Sequence, residues 1–512
     1  RPRGQNLGTS YVIARWGKPN FAKFNTSFMV EGKVVPGATS QKLNRQILAL
    51  SLPLAGTQLA NIAISTTDTF MMGQLSLGAL AGGGLAVVWF NQIRTMAVGL
   101  LTPLGNRIAS AHSLYESKSR ERADSELSAA TLQREIRNLS RAGWLLATVS
   151  GLVGALVLMA IAYALPFFGQ SAEISSAATS MMWLLAPGLV PCLWFQVSRQ
   201  FCVGLGKPKS LLHITVAMIV VNAALNYALG FGFGPFPALG LLGIGLSTTL
   251  VHLLSALIYL RITIRDPDLS TFLALDFWSA DGDTMHGRLR HLVRTQLRLG
   301  LPVSATYGAE AGMFSVLAMV MGSFGTEALA AHNVVYQITF IVFQIGVGFS
   351  HGSSILVSRA WGLNDNSLAR QVGIRTQTMM AAIVAVASVS FLCAPRLVLS
   401  PFISSSEKSN ATETLSIALG LLAIGAVMEF VDTAQNIAIG LLRGISDTTT
   451  GLKASLTGYW IIGLPAALIL AFPIGLGPHG VWWGLVIGLA SSSIILWRAF
   501  LLATRKDLTV KL

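Results

Sequence analysis

Stretches of about twenty or more mostly apolar residues recur along the whole 512-residue sequence. The run from 145 to 169 contains no charge, and the run from 415 to 440 is as apolar but contains two acids. One helix needs about 20 such residues to cross the hydrocarbon core of a bilayer. Charged residues make up only 11% of the chain, whereas soluble domains have about 25%. The sequence therefore predicts an all-α integral membrane protein.

Twelve apolar runs are bounded by glycine, proline or charged residues, which predicts twelve transmembrane helices. The predicted spans are 46–72, 84–110, 141–168, 175–199, 209–232, 239–263, 297–322, 328–356, 374–398, 411–440, 451–473 and 480–504.

The loops between these runs alternate in charge. Those near 73–84, 169–174, 230–238, 323–327 and 472–479 contain no Lys or Arg, and the loop with Lys408 near Arg396 is the exception. The opposite loops contain Arg120, Arg122, Arg134, Arg137, Arg141, Lys207, Lys209, Arg288, Arg290, Arg294, Arg359, Arg370, Arg375, Arg443 and Lys453. Because basic loops face the cytoplasm, both termini are expected there, which requires an even number of spans.

The net charge of +14 does not indicate a nucleic-acid partner, because the basic residues lie in short loops rather than in one basic module. The three cysteines, Cys192, Cys202 and Cys393, have neither metal-ligand nor disulfide spacing. Residues 1–45 are polar and lack the apolar core of a signal peptide, so we expect a mobile cytoplasmic tail.

The two halves of the chain resemble each other at a constant offset of 249 residues. Leu52-Pro53 matches Leu301-Pro302, Gly73 matches Gly322, the sequence Ala-Leu-Ala recurs at 79–81 and 328–330, and Gly99 matches Gly348. Since six spans separate the copies, both halves enter the membrane in the same direction. The sequence thus predicts two parallel six-helix lobes, 46–265 and 297–505, joined by a cytoplasmic linker, 266–296, and followed by a short cytoplasmic tail, 506–512.

Such duplication is typical of secondary transporters, whose substrate sites lie near the midplane between repeats. The sequence has no Walker A motif, which gives no support for ATP hydrolysis. It also shows no filter-like loop, nucleophile–base pair or metal cluster, so a channel or an enzyme is not favoured, and no cofactor is expected.

Four acids lie inside predicted spans: Asp68, Glu310, Glu429 and Asp432. An ionisable side chain at the centre of a helix costs about 2.5–3.5 kcal/mol on insertion scales. We expect no Lys or Arg in the middle of any span, and therefore no ion pair for these acids. A protonated carboxyl, a bound cation or a water-filled cavity would each explain them.

Other polar and aromatic side chains share helix faces with these acids or lie on neighbouring spans. Glu429, Asp432 and Asn436 follow an i, i+3, i+7 pattern, and Asn222 and Asn226 are i, i+4 neighbours. Amides in membranes often only join helices. Aromatic residues such as Tyr336 and Phe340 could line a pocket for an organic cation.

The motifs resemble those of the multidrug and toxic compound extrusion (MATE) family, in its NorM-like bacterial branch, over about residues 46–505. The matching stretches are Asp68-Thr-Phe-Met-Met-Gly73, Gly204-Leu-Gly-Lys-Pro208, Leu299-Gly-Leu-Pro302 followed by Glu310, Asp432-Thr-Ala-Gln435, Leu442-Arg-Gly444 with Asp447-Thr448, Gly458-Tyr-Trp460 with Gly463-Leu-Pro465, and Gly480-Val-Trp-Trp-Gly484.

The resemblance implies two lobes in a V shape and efflux coupled to entry of Na⁺ or H⁺. It places cation-site acids at Glu310 and Asp432, where Na⁺ could bind, and a polar cluster at Asp68, Asn222 and Asn226. Some relatives have a second aspartate where this chain has Asn226, which favours the C-lobe acids for coupling. Further candidates for cation coupling or substrate binding are Gln435, Tyr307, Tyr336, Phe340 and Glu429, of which Glu429 matches no motif of the family.

The expected function is therefore export of cationic or amphiphilic organic compounds by a monomer in the bacterial inner membrane. A flippase for a lipid-linked saccharide is the alternative, although such carriers often have a basic cavity for phosphate. A receptor or scaffold would leave the repeat and the intramembrane acids unexplained.

Overall fold

A computed structural model of the chain describes residues 40–119, 126–168, 171–233, 237–275, 284–400 and 410–505. Within these ranges the regular structure is helical, and twelve helical segments are long and apolar enough to cross a membrane. We number them span 1 to span 12 in chain order. The count confirms the twelve spans predicted from the sequence.

The first six spans, in order, consist of Ser40–Leu75; Leu77–Leu101 with Pro103–Lys118; Glu126–Ala164 with Leu165–Phe168; Ala172–Leu185, Ala186–Gly188 and Leu189–Gly204; Lys209–Asn226 with Tyr227–Gly232; and Leu241–Arg265. A short helix, Pro267–Ser270, follows. Spans 7 to 12 consist of Thr284–Gly322; Thr326–Gly362; Asn366–Cys393, with the short helix Pro395–Leu399 after it; Asn410–Gly444; Thr449–Ser455, Leu456–Gly463 and Leu464–Ala471; and Gly477–Ala503.

Several helices begin well before the predicted spans. Span 3 begins at Glu126 rather than 141, and span 7 at Thr284 rather than 297, so the predicted linker is partly helical. Span 1 begins at Ser40, inside the predicted tail. Hydropathy marks only the part of a helix that crosses the apolar core, and these helices continue beyond it with polar residues. Residues 1–39 of the tail, part of the linker with Asp281 and Asp283, Lys408, and the tail 506–512 lie outside the described residues.

The repeat is visible as two equivalent contacts between the lobes. A Cβ placed on Gly99 would lie 2.8 Å from the Cα of Ser304, so span 2 crosses span 7 almost backbone to backbone. Gly348 packs against Ala55 in the same manner. Gly348 lies 249 residues after Gly99, and Ala55 lies 249 residues before Ser304. Span 8 therefore crosses span 1 as span 2 crosses span 7. A two-fold relation between the six-helix repeats requires such a pair of equivalent crossings.

Hydrogen bonds join the lobes near the arginine-rich loops. Asn106 donates to Ser354 Oγ at 2.8 Å, and Gln296 donates to the carbonyl of Leu100 at 3.2 Å. Arg375 donates to Asn44 Oδ1 at 3.0 Å. These residues lie in the halves of spans 1, 2, 7, 8 and 9 that adjoin the arginine-rich loops, as do the glycine contacts. The lobes are therefore closed against each other on that side.

The expectation that no Lys or Arg lies in the middle of a span is wrong. Arg94 is central in span 2, where its Nε donates to Asn91 Oδ1 at 3.2 Å. Its charge acts on Cys192 of span 4 and His252 of span 6. A single arginine within an apolar run shifts mean hydropathy too little to interrupt the run, which explains why the span was still predicted.

Candidate functional site

The N-lobe site is centred on Asp68, which is only 6% exposed. Its Oδ1 accepts hydrogen bonds from Asn222 Nδ2 at 2.9 Å and from Asn226 Nδ2 at 2.6 Å. Thr248 Oγ1 lies 3.2 Å from Oδ2 and donates to it. The predicted cluster is thus brought together by spans 1 and 5, and span 6 adds Thr248. Three donors around one buried carboxyl stabilise its ionised form.

Thr248 was not identified from the sequence, because a threonine on an apolar helix ordinarily bonds to its own backbone. It does so here as well, at 3.1 Å from the carbonyl of Ile244. The amide oxygen of Asn226 is buried and has no hydrogen-bond partner among the described residues. This acceptor, beside a carboxylate, would suit a bound proton or cation.

The C-lobe site brings together Glu310 of span 7 and Asp432 of span 10. Asp432 is 4% exposed and Glu310 is partly buried. The two carboxyls lie within each other's electrostatic field. Neither accepts a hydrogen bond from another described residue. A pair of like-charged groups in this setting favours a proton or cation between them.

Glu429 lies one turn before Asp432 on span 10 and interacts with it electrostatically. It is fully buried, and neither carboxyl oxygen has a hydrogen-bond partner in the part of the chain that the structure describes. A charge in that position would be strongly disfavoured, so this burial favours the neutral form of Glu429.

Gln435 and Tyr459 connect spans 10 and 11 beside these acids. Gln435 Nε2 lies 2.7 Å from the Tyr459 hydroxyl, and that hydroxyl lies 3.0 Å from Gln435 Oε1. Tyr459 interacts electrostatically with both Glu310 and Asp432. Trp460 donates to the carbonyl of Ala309 at 3.2 Å, which fixes the turn before Glu310. Tyr459 and Trp460 lie in one of the stretches that resemble the MATE family, but the sequence alone did not indicate their place beside the acids.

Aromatic rings line span 8 next to the C-lobe acids. Tyr336 packs against Phe314 at 5.1 Å and against Phe340 at 5.7 Å between ring centroids, and Phe340 stacks on Phe343 at 5.9 Å. Tyr336 also lies in the field of both acids. Tyr336 and Phe340 are each partly buried, so this wall can offer apolar and ring-face contacts to a cationic amphiphile.

Tyr307 lies on the arginine side of the C-lobe acids, one turn before Glu310. Its hydroxyl accepts a hydrogen bond from Arg443 Nη1 at 3.4 Å, and its ring contacts the site of Gly99 in the other lobe. Tyr307 is therefore at the floor of the space between the lobes rather than in the aromatic wall.

The described residues include no group of three His, Cys, Asp or Glu side chains that could hold a metal ion. Sodium at Glu310 and Asp432 would need further oxygen ligands, such as carbonyls, hydroxyls or water. A proton needs only one of the acids. Sodium binding at this pair stays a prediction.

Two six-helix repeats that meet along one face, with isolated acids inside each lobe, are the architecture of a membrane transporter. A family model described as MatE matches residues 125–228 and 302–469. The chain is 34% identical over 463 residues to "Probable multidrug resistance protein NorM" of Rhizobium meliloti, covering 90% of this chain and 94% of that protein. The protein of the same name from Pseudomonas aeruginosa is 34% identical over 461 residues, covering 89% and 88%. This chain belongs to the MATE family of transporters, within its NorM-like branch, and is an integral multi-pass membrane protein.

Solved structures agree on the fold. The chain superposes with TM-score 0.77 on the outward-facing conformation of a multidrug resistance MATE family transporter of the MOP superfamily, at 16% identity. It superposes with TM-score 0.76 on the eukaryotic MATE transporter AtDTX14, at 17% identity. Each comparison covers 90% of this chain and 96% of the other. The predicted fold class, two parallel six-helix repeats, is confirmed.

Proposed function

We propose that this protein is a secondary active antiporter that exports cationic or amphiphilic organic compounds in exchange for Na⁺ or H⁺. The observation that carries the proposal is the pair of Glu310 and Asp432, two intramembrane carboxyls in each other's field with no hydrogen-bond donor from the described residues. Such a pair can bind either a coupling ion or a cationic substrate, and the two would compete for it. The names of the NorM relatives support export of drugs.

Exchange follows from neutralisation of these carboxyls. When they are ionised, they attract a cationic group, and the rings of Tyr336 and Phe340 contribute apolar contact. An entering Na⁺ or H⁺ neutralises them and weakens the hold on the substrate. Coupling requires that the ion stabilise one conformation more than the other, because an ion that binds both conformations equally does not shift the equilibrium between them.

The structure corresponds to the outward-facing stage of this cycle if the arginine-rich loops are cytoplasmic. The lobes are closed on that side by the contacts of Gly99, Gly348 and Asn106. We propose that both termini lie in the cytoplasm, that the membrane is the bacterial inner membrane, and that the monomer is the working unit. Alternating access would then break these contacts when the lobes open inward.

Purified protein in liposomes tests the proposal. Ethidium movement is followed by fluorescence after imposing either a Na⁺ gradient or a pH gradient of matched size, with ionophores as controls for membrane potential. The proposal expects one of the gradients to drive ethidium against its concentration, and that gradient identifies the ion. Failure of both gradients with several cationic dyes would contradict multidrug antiport.

A lipid-linked saccharide flippase gains one argument from the structure. A flippase of this kind needs a positive charge that can bind the phosphate of its substrate. Arg94 lies inside the membrane, contrary to the expectation from the sequence, and carries such a charge. The same liposomes distinguish the two functions, because a flippase would translocate a fluorescent lipid-linked sugar and would not transport cationic dyes.

A further inference from the structure

A group of cationic and amide side chains lies between the lobes on the arginine-rich side of the acids. We call it the interlobe arginine cluster and define it as Gln196, Arg199, Gln200, His351 and Arg443. Arg199 is 6% exposed and Arg443 is 3% exposed. Arg199 and Gln200 belong to span 4 of the N-lobe and line one cleft with His351 of span 8. Arg443, on span 10 of the C-lobe, lies 3.5 Å from His351 through Nη2 and Nδ1.

The charges of this cluster repel one another. Arg199 lies in the repulsive fields of Arg443 and Arg94, and the electrostatic partners that oppose this are the hydroxyls of Tyr307 and Tyr259 rather than any carboxylate. Two guanidinium groups buried near each other without an acid are costly, because desolvation and repulsion act in the same direction.

The hydrogen bonds of the cluster show an excess of donors. Arg443 Nε, Gln196 Nε2 and Gln200 Nε2 are buried and have no acceptor among the described residues. The bonds that the arginines do form are long, at 3.4 Å from Arg199 to Gln196 Oε1 and 3.4 Å from Arg443 to the Tyr307 hydroxyl. Unused N–H donors around positive charge are the complement of an oxyanion, which offers only acceptors.

We propose that the interlobe arginine cluster binds an oxyanion, a carboxylate or a phosphate, of a molecule that enters from the arginine-rich side. The cleft beside Arg199 and His351 is too narrow for a water molecule in this conformation. The anion therefore binds when the lobes separate on that side, and this step rests on the alternating access proposed above. Closure after release brings Arg199 and Arg443 back to the arrangement seen here.

The position of the cluster separates it from the C-lobe acids. Tyr307 contacts Arg443 and is three residues before Glu310 on the same helix, a rise of about 4.5 Å. Arg443, however, is eleven residues after Asp432 on span 10, a rise of about 16 Å. The oxyanion site is therefore separate from the acid pair, and Tyr307 lies between them.

Rhodamine B and its ethyl ester test this proposal, because they share one cationic ring system and differ in a single free carboxylate. Binding to the purified full chain in detergent is measured by fluorescence anisotropy, for wild type, Arg199→Gln and Arg443→Gln. Arg261→Gln is the control, because Arg261 is an exposed arginine on span 6. Each cluster variant should weaken binding of the acid about tenfold or more and leave the ester within about twofold. The control should change neither.

Loss of both dyes to the same extent, or of neither, would overturn the proposal. If a glutamine variant does not fold, Arg199→Lys retains the charge and should retain part of the preference for the acid. Because anisotropy reports binding without any gradient, this result is independent of whether Na⁺ or H⁺ drives transport. A preference for the acid in a protein that transports neither dye would contradict the proposed function but not the oxyanion site.

Two further arms identify the source of the oxyanion. Inorganic phosphate at millimolar concentration should compete with rhodamine B in wild type if a free anion uses the site. Liposomes with phosphatidylglycerol, compared with phosphatidylcholine alone, should slow movement of the acid in wild type but not in Arg199→Gln if a lipid headgroup uses it. Absence of both effects assigns the site to the anionic group of the transported molecule.

Discussion

The side-chain amide of Asn226 donates a hydrogen bond of 2.6 Å to the carboxylate of Asp68, deep inside the N-lobe. An aspartate at position 226 could not donate in its ionised form, so the asparagine supplies a hydrogen bond that favours the ionised form of Asp68 and that a two-acid site would lack. We therefore expect the C-lobe pair of Glu310 and Asp432, rather than the N-lobe cluster, to bind the coupling proton.

Replacing Asn226 by alanine should destabilise the protein, because it removes a donor from a buried carboxylate and leaves a small void. We expect a loss of about 1–3 kcal/mol. The midpoint of thermal unfolding in detergent, followed by tryptophan fluorescence, measures it. Asn333→Ala on span 8 is the matched control, since Asn333 is exposed. An unchanged midpoint for Asn226→Ala would show that the hydrogen bond contributes nothing.

The closed arginine-rich side depends on glycine where the lobes cross. Gly348→Val would place side-chain carbons on the backbone of Ala55, so the lobes could no longer close there. We expect gradient-driven transport to fall about tenfold or more, because one of the two conformations is lost. Gly84→Val on span 2 is the control, because a Cβ at Gly84 has nothing within 4 Å. Equal activity of both variants would place the closing contact elsewhere.

Glu429 is a buried acid that we expect not to take part in ion coupling. Its two carboxyl oxygens have no hydrogen-bond partner among the described residues and its side chain is fully buried, so glutamine should mimic its neutral form. We expect Glu429→Gln to transport dye within about threefold of wild type and with the same dependence on the driving ion. A complete loss of coupling in this variant, with normal dye binding, would make Glu429 part of the ion site.

A pH-dependent contact lies outside the spans, between Lys207 and the acids that follow span 6. Lys207 Nζ lies 2.9 Å from Asp266 Oδ1 and 2.7 Å from Asp268 Oδ2. Desolvation opposes the charge of Lys207, but hydrogen bonds to Asp268 and Asp266 outweigh it and raise the pKa of Lys207. Desolvation likewise opposes the charge of Asp266, but the hydrogen bond from Lys207 prevails and lowers the pKa of Asp266.

Because the folded pKa of Asp266 is depressed, its contribution to stability is present above about pH 3.9, the ordinary value for aspartate, and is lost as the pH falls through the folded pKa. The raised pKa of Lys207 preserves the contact up to about pH 10.

The side chains of Lys207 and the two acids are partly exposed, so Lys207→Gln should lower the free energy of unfolding by only about 0.2–1 kcal/mol at pH 7. Thermal unfolding at pH 7 and pH 3, at low and high salt, should show the difference shrinking with acid and with salt. A difference that is independent of pH would mean that Lys207 acts through packing alone.

The sequence predicted the elements that depend on composition and spacing. Apolar runs gave twelve spans, the 249-residue offset gave the repeat that Gly99 and Gly348 now confirm, and helical spacing placed Asn222 beside Asn226. The acid pair of Glu310 and Asp432 required the resemblance, because spans 7 and 10 are far apart in the chain. Thr248 and Tyr459 could not be found by spacing, since their roles arise only where separate spans meet.

The interlobe arginine cluster was not predicted for a physical reason. Arg199 was placed at the last residue of span 4, and Arg443 was assigned to a loop, where an arginine is ordinarily solvated. In the structure span 4 continues to Gly204 and span 10 to Gly444, and both side chains are buried and lie in each other's electrostatic field. Burial of this kind depends on tertiary contacts that no local pattern contains.

The central claim is that Glu310 and Asp432 couple ion entry to export. Its most direct test is gradient-driven ethidium transport in proteoliposomes, compared among wild type, Glu310→Gln and Asp432→Asn. Glu327→Gln serves as the control, because Glu327 is in the first turn of span 8, away from both acids. We predict that either substitution abolishes uphill transport, whereas the control retains it. Uphill transport that survives both substitutions would contradict the account and move coupling to Asp68.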